Sequence, residues 1–533
     1  MAKHWLDFVV IALYFGGITF AGLYFARRNK STEEYFLGNR NFPGWVIGLS
    51  MVGTSISSVS FMAYPGDAYK TAWLRLLPAF TLPLGVLAAS IFFLPFFRRG
   101  GLTSAYEYLE GRFGPGTRVY AALAFVLGQT FRIGMILYLL SLLVQEFLQI
   151  VVGHELGDQW LIVSILVAGI FVSFYTIAGG IEAVVWTDVV QTIVLVVGGF
   201  VCLVVIVLKL PGGLGQILEV ATEHGKFQFA EMLEDGSFKA PSWNLSLTQK
   251  TATMMLFIGL TNWLTEYSGN QNVVQRYCAS KSTREARKAM WICCCSSIPI
   301  WTYFMFLGTA MYVFYQVFPS DRAADILTGA NGAKAEEILP YFAFHQLPRG
   351  VAGLVVAAVL AAAMSSLDSS INAISTVSVV DIYRRHLVKK RSDGHYLLAA
   401  RVIAIVAAVL MVLIAIGFAK YSGKTLQHTG TVVGALTGGG LLGLFMFGFF
   451  IPWGDGRAIF WGIVSTLLFS GFMVMKKIGF ITVDWPPLDE YYVGLTGNVI
   501  MFAIGFGAAC LLPRRPRDLT NLTVWTQDKT PLQ

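Results

Sequence analysis

Ser365, Ser366, Asp368 and Ser369 lie in the stretch AAAMSSLDSSINAIS, residues 361–375, inside a long apolar run. Spaced i, i+1, i+3 and i+4, most of them share one helical face at about 100° per residue. That face offers only oxygen. Hydroxyl, carboxylate and backbone carbonyl suit an alkali or alkaline-earth cation, whereas a soft metal wants the Cys, His or Met that the face lacks. A carboxylate near the centre of a bilayer costs roughly 2.5–3.5 kcal/mol on insertion scales, so Asp368 needs a partner. Close helix packing and hydroxyls bonded back to their own helix account for AAAMSS alone, but not for a buried charge.

Four other stretches carry polar groups where apolar ones are expected. In GLSMVGTSISSVSFMA, residues 48–63, Gly53, Thr54, Ser55, Ser57, Ser58 and Ser60 interrupt the run. They read as a locally unwound helix whose carbonyls face protein or a water-filled cavity, or else as a small-residue packing face. Arg132, in VLGQTFRIGMILYLL, lies more than a turn from either end of its run and cannot snorkel. Its planar fork matches a carboxylate: that of an anionic ligand, or of Glu182, Asp188 or Glu266. Arg75, near the outer end of a run, is expected to lay its stem along the helix and its head in water. Asp188, in GGIEAVVWTDVVQ, sits about one and a half turns into a helix. It either joins Asp368 around a cation or pairs with Arg132. In TNWLTEYSGNQNVVQRY, residues 261–277, Asn262, Glu266, Asn270 and Gln271 would be costly in lipid, which predicts a second discontinuous helix. GALTGGGLLG, residues 434–443, reads as a close helix crossing.

The elements that must position these groups are membrane helices. Of 533 residues, 55% are hydrophobic and 13% charged, with a mean hydropathy of +0.63. These values describe an all-α polytopic membrane protein with about thirteen spanning runs. Corresponding breaks five runs apart divide it into an extra helix at 5–26, a first half at 43–208, a second half at 251–453 and two further helices at 457–512, then a polar tail at 513–533. The formal charge of +8 comes from short basic clusters between apolar runs, an orientation signal rather than a nucleic-acid surface. Arg27, Arg28 and Lys30; Arg98 and Arg99; Lys281, Arg284, Arg287 and Lys288; Arg384, Arg385, Lys389, Lys390 and Arg391; Arg457; and Arg514, Arg515 and Arg517 fall on one side if the N-terminus is outside. The loops at 211–249 and 319–348 then lie outside, as solvated surface. TSAYEYLEGRF, residues 103–113, reads as an interfacial helix. The six Cys read as small hydrophobes, and the run from Trp5 to Ala26 is too long for a cleaved signal. A short tail with no nucleophile elbow, phosphate loop or His-rich cluster argues against an enzyme.

The blocks TSAYEYLEGRFG, GGIEAVVWTDVVQ, NVVQRY and AAAMSSLDSSINAIS followed by DIY make the chain resemble the sodium:solute symporter family, and within it the bacterial sialic acid symporters. The resemblance implies a five-plus-five inverted repeat of the LeuT type with alternating access, in a multi-pass protein of the inner (plasma) membrane working as a monomer. It also implies a first sodium site at Gly53, Ile56, Ala362, Ser365 and Ser366, and a second at Asp188, Ser365, Asp368 and Ser369. By the same resemblance Arg132 holds the solute carboxylate, with Ser55, Ser57 and Ser60 around it. Three positions depart from those relatives, which resemble this chain with Ser where it has Asp368, Gln where it has Ala79 and an aromatic where it has Arg75. The expected activity is sodium-coupled import of a small organic solute, with an acidic sugar such as sialic acid leading over a neutral sugar, an amino acid or a monocarboxylate. A sodium-gated channel or sensor on the same scaffold is the rival class.

Overall fold

A backbone in lipid must satisfy its own N–H and C=O groups, so the apolar runs become helices. The structure, a computed structural model, describes residues 5–26, 30–152, 156–232, 237–249, 251–330, 333–420, 439–477, 479–483, 486–488 and 492–527. In chain order the helices are α1 (Trp5–Ala26), α2 (Thr32–Leu37), α3 (Gly44–Ser55), α4 (Ser58–Lys70), α5 (Trp73–Arg99), α6 (Ala105–Phe113), α7 (Pro115–Val152), α8 (Asp158–Lys209) and α9 (Gly213–Glu223). They continue with α10 (Ala252–Gly269), α11 (Gln271–Ala279), α12 (Thr283–Val317), α13 (Asp321–Thr328), α14 (Ile338–Gln346), α15 (Val351–Val377), α16 (Asp393–Lys420), α17 (Leu441–Phe450), α18 (Gly456–Lys477) and α19 (Val493–Leu511). Among the described residues the only sheet is a hairpin pairing Glu231–Met232 with Phe238–Lys239.

Among the described residues nine helices are long and apolar enough to cross a bilayer, or ten if α3 and α4 form one bent span. The 52 residues of α8 would reach roughly 78 Å if straight, more than twice a bilayer core, so this helix holds two of the expected runs. They meet at Gly180, whose φ of 55° turns the chain. A Cβ there would lie 2.7 Å from the Tyr35 ring, so only glycine fits. Of the apolar run at 427–453 that closes the second half, residues 427–438 lie outside the described residues; the rest contains α17.

At the centre is α15, buried along nearly its whole length and packed against α8, α7, α1 and α16. The Asp7 carboxylate of α1 accepts the Gly350 and Gly353 N–H groups, each at 2.8 Å. It thereby seats a negative charge at the start of α15 and fixes α1 beside it.

The loops sort to two ends. At one end Thr32 bonds Asp393, Arg40 bonds the Gly101 carbonyl, Arg98 bonds that of Ser280, and Arg385 bonds Glu110. Arg517 bonds the Arg112 carbonyl at this same end. The described basic clusters therefore gather together; Arg27 and Arg28 lie outside the described residues. At the other end Lys209 reaches Gln346, and Lys226 reaches the carbonyls of Tyr69 and Thr71.

The structure corrects two expectations. Residues 105–113 are not an interfacial helix: α6 starts on a capping box from Ser104 and Glu107 and buries Tyr106, Tyr108, Leu109, Arg112 and Phe113. Its amphipathic pattern reflects a wedge between helices. Buried Arg112 donates to the carbonyls of Gly448, Ile451 and Gly454 at the end of α17. The loops expected as solvated surface contain α9, α13 and α14, and Lys226 is buried among three carbonyls and the Tyr312 ring. GALTGGGLLG is described from Gly439 onward, and there a Cβ on Gly443 would lie 2.4 Å from the Asn498 carbonyl oxygen, as a close crossing requires.

Candidate functional site

The first discontinuity forms where small polar residues crowd the chain. α3 ends at Ser55, Ile56 and Ser57 are extended (φ −103°, ψ 94° and φ −85°, ψ 171°), and α4 leaves at 55° to α3. Gly53 lies just before the break, and a Cβ on it would meet Thr192 Oγ1 at 2.7 Å. The missing side chain lets its backbone approach α8. Opposite lies the oxygen-bearing face of α15. Ser365 Oγ donates toward the Gly53 carbonyl at 2.9 Å and the Ala362 carbonyl at 3.1 Å. Ser366 Oγ is buried with no hydrogen-bond partner among the described residues, and Ile56 is wholly buried at the break. The structure thus brings Gly53, Ala362 and Ser365 together as expected, with Ser366 and Ile56 adjoining. Carbonyls and hydroxyls without a charged group suit a monovalent hard cation. An unsatisfied buried hydroxyl is the kind of group such an ion would use.

The second discontinuity also forms as expected. α10 stops at Gly269 and α11 starts at Gln271, with Asn270 extended between them and capping the Asn272 N–H. Tyr106 donates to the end carbonyl of Gly269 at 2.8 Å. The Gln271 amide grips Thr103 and Ala105 of the neighbouring segment. Glu266 does not face Arg132; it accepts from the Asn270 amide at 2.7 Å.

This break turns Arg276 inward, and sequence reasoning missed that residue. The pairing of Asp188 with Arg132 does not occur. Asp188 Oδ2 instead accepts from Arg276 and from Ser50 Oγ, at 2.8 and 2.6 Å. Arg276 also donates to Ser50 Oγ, the Asn272 carbonyl and Ser369 Oγ. Arg276 is 1% exposed and Asp188 fully buried, so the pair is desolvated. Asp368 has no cationic partner of its own among the described residues: Tyr175 Oη donates to its Oδ2 at 2.8 Å, and Ser369 Oγ lies 3.2 Å from its Oδ1. Asp188, Asp368 and Ser369 therefore share one cluster, linked through Arg276. The signal for Arg276 was available in the block NVVQRY, had the helix break been used to reset the inward face. Tyr175 in an apolar run carries no such signal, because aromatic residues there read as core.

Arg132 is half-buried and makes no hydrogen bond or ion pair with the described residues. One turn earlier on α7, Gln129 accepts from Ser370 of α15 at 3.1 Å, so this stretch of α7 faces the same central helix. Ser55, Ser57 and Ser60 are half-buried around the first break. Arg75, at the end away from the gathered basic clusters, is ion-paired with Asp67 and lies 5.3 Å over the Tyr64 ring, while Ala79 is buried.

A family model described as the sodium:solute symporter family matches residues 35–465. The chain is 32% identical over 466 residues to the sodium/sialic acid symporter SiaT of Proteus mirabilis, covering 87% of this chain and 88% of that one. It is 29% identical over 510 residues to the sodium/sialic acid symporter NanT of Aliivibrio fischeri, covering 94% and 92%. A solved structure of a sodium-coupled sialic acid symporter, substrate-bound and open outward, superposes with a TM-score of 0.82 at 29% identity, covering 96% of this chain and 98% of that one.

Proposed function

The chain belongs to the sodium:solute symporter family, and on that premise we propose that it imports an acidic sugar of the sialic acid type together with sodium. The observation that carries this reading is the oxygen-only cluster between the α3–α4 break and α15, with the guanidinium of Arg132, unpaired among the described residues, on the helix beside it. Sodium is cargo here, held by the carbonyls of Gly53, Ile56 and Ala362 and the hydroxyls of Ser365 and Ser366. The ion joins a broken helix of the first half to α15 of the second, so its binding favours one arrangement of the two halves. The solute carboxylate meets Arg132 in a bidentate pair, with Ser55, Ser57 and Ser60 bonding the rest. With both carboxylates ionised, Asp188 and Asp368 against Arg276 leave one negative charge, so a second sodium joins the cluster that includes Ser369.

Thirteen crossings follow if α8 counts twice, the α3–α4 and α10–α11 pairs count once each, and α17 belongs to a full span. The gathered basic clusters then put the N-terminus outside and the C-terminus in the cytoplasm of an inner-membrane monomer. Each sodium moved down 100 mV supplies roughly 2.3 kcal/mol, enough to concentrate a solute.

Buried Ala79, which offers no hydrogen bond to a polyhydroxylated solute, favours a monocarboxylate as the second reading. A thermal-shift panel of acidic sugars, neutral sugars, amino acids and monocarboxylates, with and without sodium, separates these. An acidic sugar should stabilise the protein only with sodium present, and Arg132→Gln should lose that effect while keeping the shift from sodium alone. Stabilisation by neutral sugars only would contradict the role of Arg132.

A further inference from the structure

Asp368 is enclosed by α1, both halves of α8 and α15, and the polar groups around it are not satisfied by one another. Ser369 has a single hydroxyl proton, directed to the Ser365 carbonyl at 2.5 Å, so it has none to give Asp368 Oδ1. On the far side of Asp368 stand three further polar side chains. Tyr175 Oη bonds Asp368 directly. Tyr14 Oη bonds the weakly accepting Met364 sulfur, at 3.8 Å, and lies beside the Gln191 amide. Gln191 is 1% exposed, and among the described residues neither of its amide atoms makes a hydrogen bond of good geometry, although the Tyr14 and Tyr175 hydroxyls lie within its reach. A buried amide with neither end in a well-formed bond is rare and calls for a ligand.

The opposite side of Asp368 already holds the guanidinium of Arg276. There Arg276 donates to both Asp188 and Ser369, and its charge repels a second positive ion. We propose that the second sodium sits on the tyrosine side of Asp368, held by the Asp368 carboxylate, the Gln191 carbonyl oxygen and the hydroxyls of Tyr14 and Tyr175. This inference rests on the sodium-symporter reading above and relocates the second ion within it. It also gives α1, the helix outside the two halves, a part in ion coupling, with the Asp7 bonds to Gly350 and Gly353 holding it in register.

The test is uptake of labelled sialic acid into proteoliposomes as external sodium is varied, for Tyr14→Phe, Gln191→Leu and Asp368→Asn, each checked for monodispersity. Removing one oxygen ligand should raise the sodium concentration for half-maximal uptake about fivefold to tenfold, with little change in solute half-saturation at saturating sodium. Asp368→Asn should also lower the steepness of the sodium dependence to that of one ion. If Asp368→Asn shifts the sodium dependence while Tyr14→Phe and Gln191→Leu both leave it unchanged, a second ion exists but the proposed location is overturned, and the pocket holds water. A wild-type protein whose uptake ignores sodium would instead refute the symporter reading itself. A shift in pH dependence without one in sodium dependence would overturn the assignment of sodium to the pocket.

Discussion

The Asp188–Arg276 pair is buried beyond the reach of water, so removing one partner strands the other. Arg276→Met should cost about 3–5 kcal/mol, and Asp188→Asn combined with Arg276→Met should recover part of that loss. The melting temperature of purified protein reads both; a double variant no better than the single would show that the stranded Asp188 charge is not the source of the loss. The oxygen chemistry around this pair was legible from residue types alone, because hydroxyls and a carboxylate placed together in an apolar run are costly in lipid unless something binds them. Asp188 and Asp368 were also legible as buried charges. Their partners were not. Arg276 lies past a helix break, and a uniform helical phase through residues 261–277 does not show which way it points. Arg132 stood out because its run is unbroken, which leaves its depth easy to judge.

Both helix breaks were legible as density of Gly, Ser and Asn, since these residues offer the backbone alternatives to its own ladder. What supports a broken end was not. Tyr106 and Gln271 tie the α10–α11 break to α6, and the amphipathic pattern of α6 gave no means of telling a protein groove from a lipid interface. Tyr106→Phe leaves the Gly269 carbonyl unpaired in a buried place, at a cost of about 1–3 kcal/mol. The expected result is a lower melting temperature with sodium binding retained. An unchanged melting temperature would mean that the carbonyl finds another donor and that α6 is not the clamp.

Over the whole molecule, two broken helices face the uninterrupted α15, and the basic clusters collect at one end. Composition was sufficient for the membrane class and the charge pattern for the gathering of the described basic clusters at one end, whereas the fold of the loops at 211–249 and 319–348 was hidden because their helices are short and mixed in polarity. In the proposed function, ion binding at the α3–α4 break would be tied to the relation between the two halves, which is what coupling requires. The most direct test is accumulation of labelled sialic acid in proteoliposomes carrying an inward sodium gradient. Wild-type protein should concentrate the solute above its external level, lose accumulation when choline replaces sodium, and largely lose it in Ser366→Ala. Equal accumulation with and without sodium would contradict sodium coupling through this site.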